Sequence, residues 1–326
     1  MVLPSAMLCC LLWGSAFPLV KIGFSWLNIS SEDIPTEILY AGLRFTLAGV
    51  IAIIITSLIS GKFLRPTMKS LPKVFSLSMF QTILQYLFFY IGLSNTSGVK
   101  ASVIEAMNVF VALIVSCLIF RMEKFTAAKI IGSIIGFAGV VIINVGKGDL
   151  AGGLTLKGEG FILISTVAYA FSSVLMKHWS NEENPMMMSA WQFLLGGIVM
   201  SMLGFALGGR ISGFDLKSIL LMIYLASLSA IAYSLWASLL KYYPVSRIAV
   251  YGFMNPVFGF ILSAFLLGES EAFRTNRLRQ QAVECECAGF VSVYAHSRGT
   301  NSCTNTVIKQ PEVNTGKCPC ISSTIP

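Results

Sequence analysis

Apolar runs of about twenty residues, separated by short polar segments, follow one another from the N-terminus to Leu267. An α-helix rises about 1.5 Å per residue, so a run of this length crosses the ~30 Å hydrocarbon layer of a bilayer. The pattern predicts nine spans, over residues 4–23, 38–59, 74–93, 99–120, 127–145, 158–177, 186–207, 216–240 and 248–267. Lipid offers no hydrogen bonds to peptide groups, so spanning elements are helices or a closed barrel, and runs this long select helices. The predicted fold class is all-α, polytopic and membrane-embedded. The first run lacks a basic start and is followed by many others, which marks a retained helix and not a cleaved leader. Gly14 and Pro18 inside it mark a kink site.

Polar residues inside the runs divide the chain further. In the fourth, Glu105 and Asn108 lie three residues apart and share a helix face. The fifth carries Gly132, Gly136 and Gly139, a small-residue stripe suited to backbone-to-backbone helix packing. Arg121, Glu123 and Lys124 form the turn between them. The pattern then returns: residues 246–255 overlay 99–108 without a gap, setting Asn255 on Asn108 and Gly252 on Glu105. Residues 167–177 overlay 11–21, and residues 189–197 overlay 41–49, setting Gln192 on Arg44. The overlays keep one order, as an internal duplication requires. A unit of five spans is odd, so the second copy enters from the opposite side, giving two inverted repeats around a site near the midplane. The expected domains are a first repeat over 1–146, a second over 158–271 with its tenth helix missing, and a polar, Cys-rich tail over 272–326. That tail reads either as the product of an altered reading frame or as a disordered extension.

Composition removes other classes. Hydrophobic residues make up 55% of the 326 and charged residues 12%, with mean hydropathy +0.76, which excludes an ordinary soluble domain. The net charge of +8 sits mostly in short loops and the tail, without the dense basic run of a nucleic-acid binder. The 25–37 loop carries Glu32, Asp33 and Glu37 and no Lys or Arg, whereas the next carries Lys62, Arg65, Lys69 and Lys73. That contrast puts the basic loop and the N-terminus in the cytoplasm. Cys9, Cys10 and Cys117 lie in apolar runs, and Cys285, Cys287, Cys303, Cys318 and Cys320 crowd the tail, so they form no single disulfide framework. Neither the Cys-x-Cys spacing nor the lone nearby His296 suits zinc. There is no phosphate-cradling Gly-rich loop, and His178 and His296 are the only histidines, so ATP drive and an integral-membrane enzyme are both disfavoured.

Candidate binding residues are those expensive to place in lipid. Glu105 is the sharpest, as a proton carrier or the ligand of a cationic group, with pairing to Arg44 or a place near the outer boundary reached by water as its structural alternatives. Arg44 is a carboxylate ligand or a helix-pairing or snorkelling residue. Asn108, Gln81, Gln85, Gln192 and Asn255 add amides, and Tyr169, Tyr233 and Trp236 add aromatic surfaces for stacking, beside Tyr86, Tyr90 and Trp191. No metal or cofactor is expected.

The first-span Leu-Leu-Trp-Gly-Ser-Ala-Phe-Pro-Leu-Val-Lys at 11–21, Leu-Arg-Phe-Thr-Leu-Ala-Gly at 43–49, Leu-Leu-Gly-Glu at 266–269 and the glycine-striped fifth run together resemble EamA-type members of the drug/metabolite transporter superfamily. The resemblance covers residues 1–271. It implies ten helices in two inverted fives, both termini cytoplasmic, and a central cavity for a small metabolite, often exported. Span four departs from the family by lacking a mid-span proline, and the first turn reads Phe-Arg-Met-Glu at 120–123 where Leu-Leu-Gly-Glu is usual. The expected function is secondary transport of a small organic metabolite or drug, with a proton as candidate coupling ion, in the plasma membrane and most simply a bacterial inner membrane. A homodimer is open, and a membrane sensor or assembly protein is the competing class.

Overall fold

The computed structural model describes residues 2–30, 32–96, 98–145 and 155–266; the expectations for the 272–326 tail, its cysteines and Glu269 lie outside them. All regular structure among the described residues is helical. It comprises α1 (Val2–Trp26), α2 (Ile34–Ser60), α3 (Leu71–Ser78), α4 (Gln85–Ser94), α5 (Gly98–Ala106), α6 (Asn108–Ile114), α7 (Ala127–Val145), α8 (Phe161–Trp179), α9 (Pro185–Ala206), α10 (Leu216–Tyr242), α11 (Val245–Ala249) and α12 (Met254–Leu266). Among the described residues six stretches are long and apolar enough to cross a membrane: Val2–Trp26, Ile34–Ser60, Leu71–Leu93, Leu156–Trp179, Pro185–Ala206 and Leu216–Tyr242. Shorter apolar helices cover Val103–Ile119 and Ala127–Val141. The chain is an all-α polytopic membrane protein.

Local chemistry explains several boundaries. The Asp33 side chain accepts from the Thr36 amide at 3.2 Å, Pro35 occupies the first turn of α2, and Gly61 at φ 62° closes its other end. These caps start α2 before its apolar run begins. Arg44, expected about two turns inside the helix, therefore lies about three turns in, close to the middle of α2. Pro18 is carried within a continuous α1. α3 and α4 are joined by a π-helical turn, Met79–Leu84, which widens the helix between Gln81 and Gln85.

Two expected spans are interrupted. The fourth breaks at Met107, between α5 and α6, and ends in a π turn at Val115–Ile119. The ninth breaks between α11 and α12 in a 3₁₀ turn, Val250–Phe253. Met107 has φ −63° and ψ −12°, and Met254, on which the repeat overlay sets it, has φ −73° and ψ −16°. In the ninth the cause is visible: Pro256 has no N–H to donate to the Gly252 carbonyl four residues back.

The centre of the bundle is an antiparallel seam between α2 and α9. Gly42 faces Ser201, Gly49 faces Leu194, Gly197 faces Thr46 and Gly204 faces Leu39, each so close that a Cβ would lie within 3.0 Å of the partner's backbone nitrogen. Gly14 of α1 meets Phe258 and Gly259 of α12 in the same way. On α7 one glycine of the stripe is described in contact. Gly136 takes up the ring of Phe253, a side chain and not a second backbone.

Turns alternate between the two ends of the bundle and are tied within each end. At one end the Arg210 amide donates to Thr36 Oγ1 at 3.1 Å, while Glu159 accepts from Thr96 at 2.7 Å and pairs with Lys100 at 3.2 Å. At the other, Lys73 pairs with Glu182 at 2.6 Å and Glu183 at 3.1 Å, and Ser70 donates to Glu183 at 2.8 Å. There too Glu123, in the departing Phe-Arg-Met-Glu turn, pairs with Lys129 at 2.8 Å and accepts from the Ser246 amide at 3.2 Å. The hydrogen bond from Lys73 holds the Glu182 carboxyl below its ordinary range. A depressed carboxylate contributes stability above its unfolded pKa and loses it as pH falls through the folded value. Both partners are solvent-accessible, so the contribution is small. Lys73→Gln is expected to lower the melting temperature slightly at neutral pH and not at all in acid below the folded pKa, measured by thermal unfolding in detergent at both.

Candidate functional site

Two adjoining clusters of polar and aromatic groups occupy the interior. The first gathers on α2, α4, α9 and α10. Arg44 is 5% exposed, with its guanidinium carbon 4.5 Å from the centre of the Phe45 ring. Phe45 stacks on Phe193 at 5.3 Å and tilts against Tyr86 at 4.4 Å. The Tyr86 and Tyr233 hydroxyls share a 3.0 Å hydrogen bond, and Phe193 meets Tyr233 edge-on at 4.7 Å. Fully buried Gln192 accepts from Thr82 at 2.7 Å. Tyr86, Tyr90 and Tyr233 lie within electrostatic reach of Arg44.

The second cluster lies beside the two helix interruptions. A narrow pocket is lined by Asn108, Tyr169, Ser173, Trp236, Gly252 and Asn255, among others, with room for roughly one water molecule. Trp13 joins the clusters, with its ring edge-on to Tyr233 at 4.9 Å and to Trp236 at 5.0 Å.

The structure thus brings Asn108, Tyr169, Trp236 and Asn255 into one pocket, and Arg44, Gln192 and Tyr233 into the neighbouring cluster. Gln81 and Gln85 lie outside the pocket lining; each has a buried amide oxygen without a partner among the described residues. Glu105 lies one turn before Asn108, partly buried and outside the pocket lining. Among the described residues the ion pairs are Lys73 with Glu182 and Glu183, Lys100 with Glu159, and Lys129 with Glu123, so Glu105 and Arg44 are not paired with each other. The snorkelling reading of Arg44 fails for a residue this deep and this enclosed. Trp191 belongs to an end of the bundle, donating to the Leu64 carbonyl at 2.8 Å. No group of three or more His, Cys, Asp or Glu among the described residues is placed to hold a metal.

Sequence reasoning missed Thr82, Phe45, Phe193 and Ser173. Phe45 had a local signal, adjacency to a membrane arginine. Thr82 had none, because its partner Gln192 is a tertiary neighbour.

A bundle of apolar helices enclosing buried charge, amides and aromatic rings beside a pocket is an arrangement that suits a membrane transporter. The chain belongs to the EamA-like transporter family, whose profile matches residues 2–145 and again 156–275. An "uncharacterized transporter" of Archaeoglobus fulgidus is 32% identical over 266 residues, covering 81% of this chain and 89% of that protein. A Salmonella typhimurium protein named "probable amino-acid metabolite efflux pump" is 25% identical over 282 residues, covering 81% of this chain and 86% of that protein. A solved crystal structure shares the fold at TM-score 0.72 and 17% identity, spanning 90% of this chain and 98% of that one.

Proposed function

We propose that the protein is a secondary transporter that carries a small organic metabolite or drug across the plasma membrane, outward, by alternating exposure of the central clusters to its two sides. The carrying observation is the juxtaposition of Asn108, the first residue of α6, and Asn255, the second of α12, in one pocket beside the two helix interruptions. Interrupted helices meeting at mid-membrane are how transporters expose backbone carbonyls to solutes without facing lipid.

Two inverted repeats, 1–146 and 158–271, account for this pairing. The repeat overlay carries Gly49 facing Leu194 onto Gly197 facing Thr46, and the Met107 and Met254 backbones share one conformation. Nine spans follow from adding the interrupted helices and α7 to the six long ones. The end with Lys62, Arg65, Lys69, Lys73, Arg121 and Lys124 faces the cytoplasm, which is the short-loop charge bias. Glu105 is the proton carrier, and Arg44, Gln81, Gln85, Tyr169, Gln192, Tyr233 and Trp236 bind solute with the two asparagines.

The test is flux from liposomes containing the purified full chain, with a panel of labelled amino acids and small organic acids and amines, with and without an imposed proton gradient. Saturable flux above empty liposomes supports the reading. A folded protein that moves no member of the panel overturns it.

A further inference from the structure

We infer that the cluster around Arg44 is a carboxylate site with aromatic walls, so that the solute is an organic anion carrying a ring or other flat apolar body. This rests on the transport reading and names the solute class of its central site. Three nitrogen groups in or beside the cluster are buried without an acceptor: Arg44 Nε, Trp13 Nε1 and Gln192 Nε2. All three are donors, and one belongs to a side chain that is 5% exposed and fixed in its charge. A buried guanidinium that no carboxylate neutralises is among the costliest groups a membrane helix can carry. The Phe45 ring offsets part of that cost through its negative face but accepts no strong hydrogen bond.

Among the buried oxygens left without a partner, the Tyr40 hydroxyl, Gln81 Oε1 and Gln85 Oε1 are neutral and none bonds the Arg44 guanidinium. The Tyr86 and Tyr233 hydroxyls bond each other, and Gln192 Oε1 is taken by Thr82. What the cluster lacks is an anionic acceptor, and a planar carboxylate fits the fork of an arginine. The walls are set by the stack of Phe45 on Phe193, the Tyr86–Tyr233 pair and the edge of Trp13. They favour a flat apolar body over a polar chain.

The probes are phenylacetate, acetate and phenethylamine, added to the purified full chain in detergent, with binding read by calorimetry and by the rise in melting temperature. Phenylacetate is expected to bind, acetate to bind at least about tenfold more weakly, and phenethylamine not to bind. Arg44→Gln is expected to lose phenylacetate affinity by about tenfold or more, and Arg44→Lys to retain part of it. Equal binding of phenethylamine and phenylacetate to the unmodified protein overturns the proposal without reliance on any variant. So does unchanged phenylacetate affinity in a folded Arg44→Gln protein. Liposome flux separates the two levels of the argument. Flux of amines but not of carboxylates removes the anion site and leaves the transporter standing, whereas phenylacetate binding with no flux of any solute keeps the site and removes transport.

Discussion

Gly197→Leu is expected to abolish the folded protein, and Gly197→Ala to cost it about 3 kcal/mol or more, at the top of the range for overpacked cores. At this position a Cβ meets the backbone nitrogen of Thr46 and the carbonyl carbon of Phe45 within 3.0 Å, and neither can rotate away. The only relief is to separate α2 from α9, which loosens every facing pair along the seam. Gly49→Ala is expected to behave likewise against Leu194. Gly252→Ala is the control, because its Cβ meets nothing nearer than Asn108 Oδ1 at 3.9 Å. Unfolding of the three alanine variants in detergent, followed by circular dichroism, checks the ranking. A Gly197→Ala protein as stable as Gly252→Ala would mean that the seam is looser than described.

The second large effect falls on transport and spares stability. Glu105→Gln is expected to remove the response of flux to an imposed proton gradient, leaving folding and solute binding intact. The carboxyl is partly buried, two residues before the α5–α6 break, and has no ion-pair partner among the described residues to hold it permanently charged. A glutamine keeps the volume and a carbonyl acceptor but cannot exchange a proton. The measurement is initial flux at matched internal pH with and without an outside-acidic step. A variant with wild-type flux and an unchanged proton response would exclude Glu105 as the carrier.

Much of this architecture was legible in the residues, and the reasons differ by element. The apolar runs located each helical region because span length is set by lipid thickness, a constraint the chain meets locally. The overlay of Asn255 on Asn108 anticipated two residues that share a pocket, since duplicated segments carry duplicated break points. Arg44 was placed one turn too shallow because hydropathy starts a helix where lipid starts, while Asp33 and Pro35 start it where the backbone is capped. The π turn at Met79–Leu84 had no signal, because widening one turn needs no special residue and is decided by what packs outside it. The glycine stripe on α7 announces close contact, and at Gly136 that contact is a ring. Small residues declare room, and only the tertiary fold declares that a Phe253 ring fills it.

The α2–α9 seam also has a consequence for the order of biogenesis. Its two faces belong to segments far apart in the chain, and each is cut to fit the other's backbone. A nascent chain that has delivered α2 into the bilayer must hold that glycine-lined groove against lipid until α9 emerges from the ribosome and inserts in the opposite direction. During that interval the groove is an unpaired template for any small-residue helix nearby.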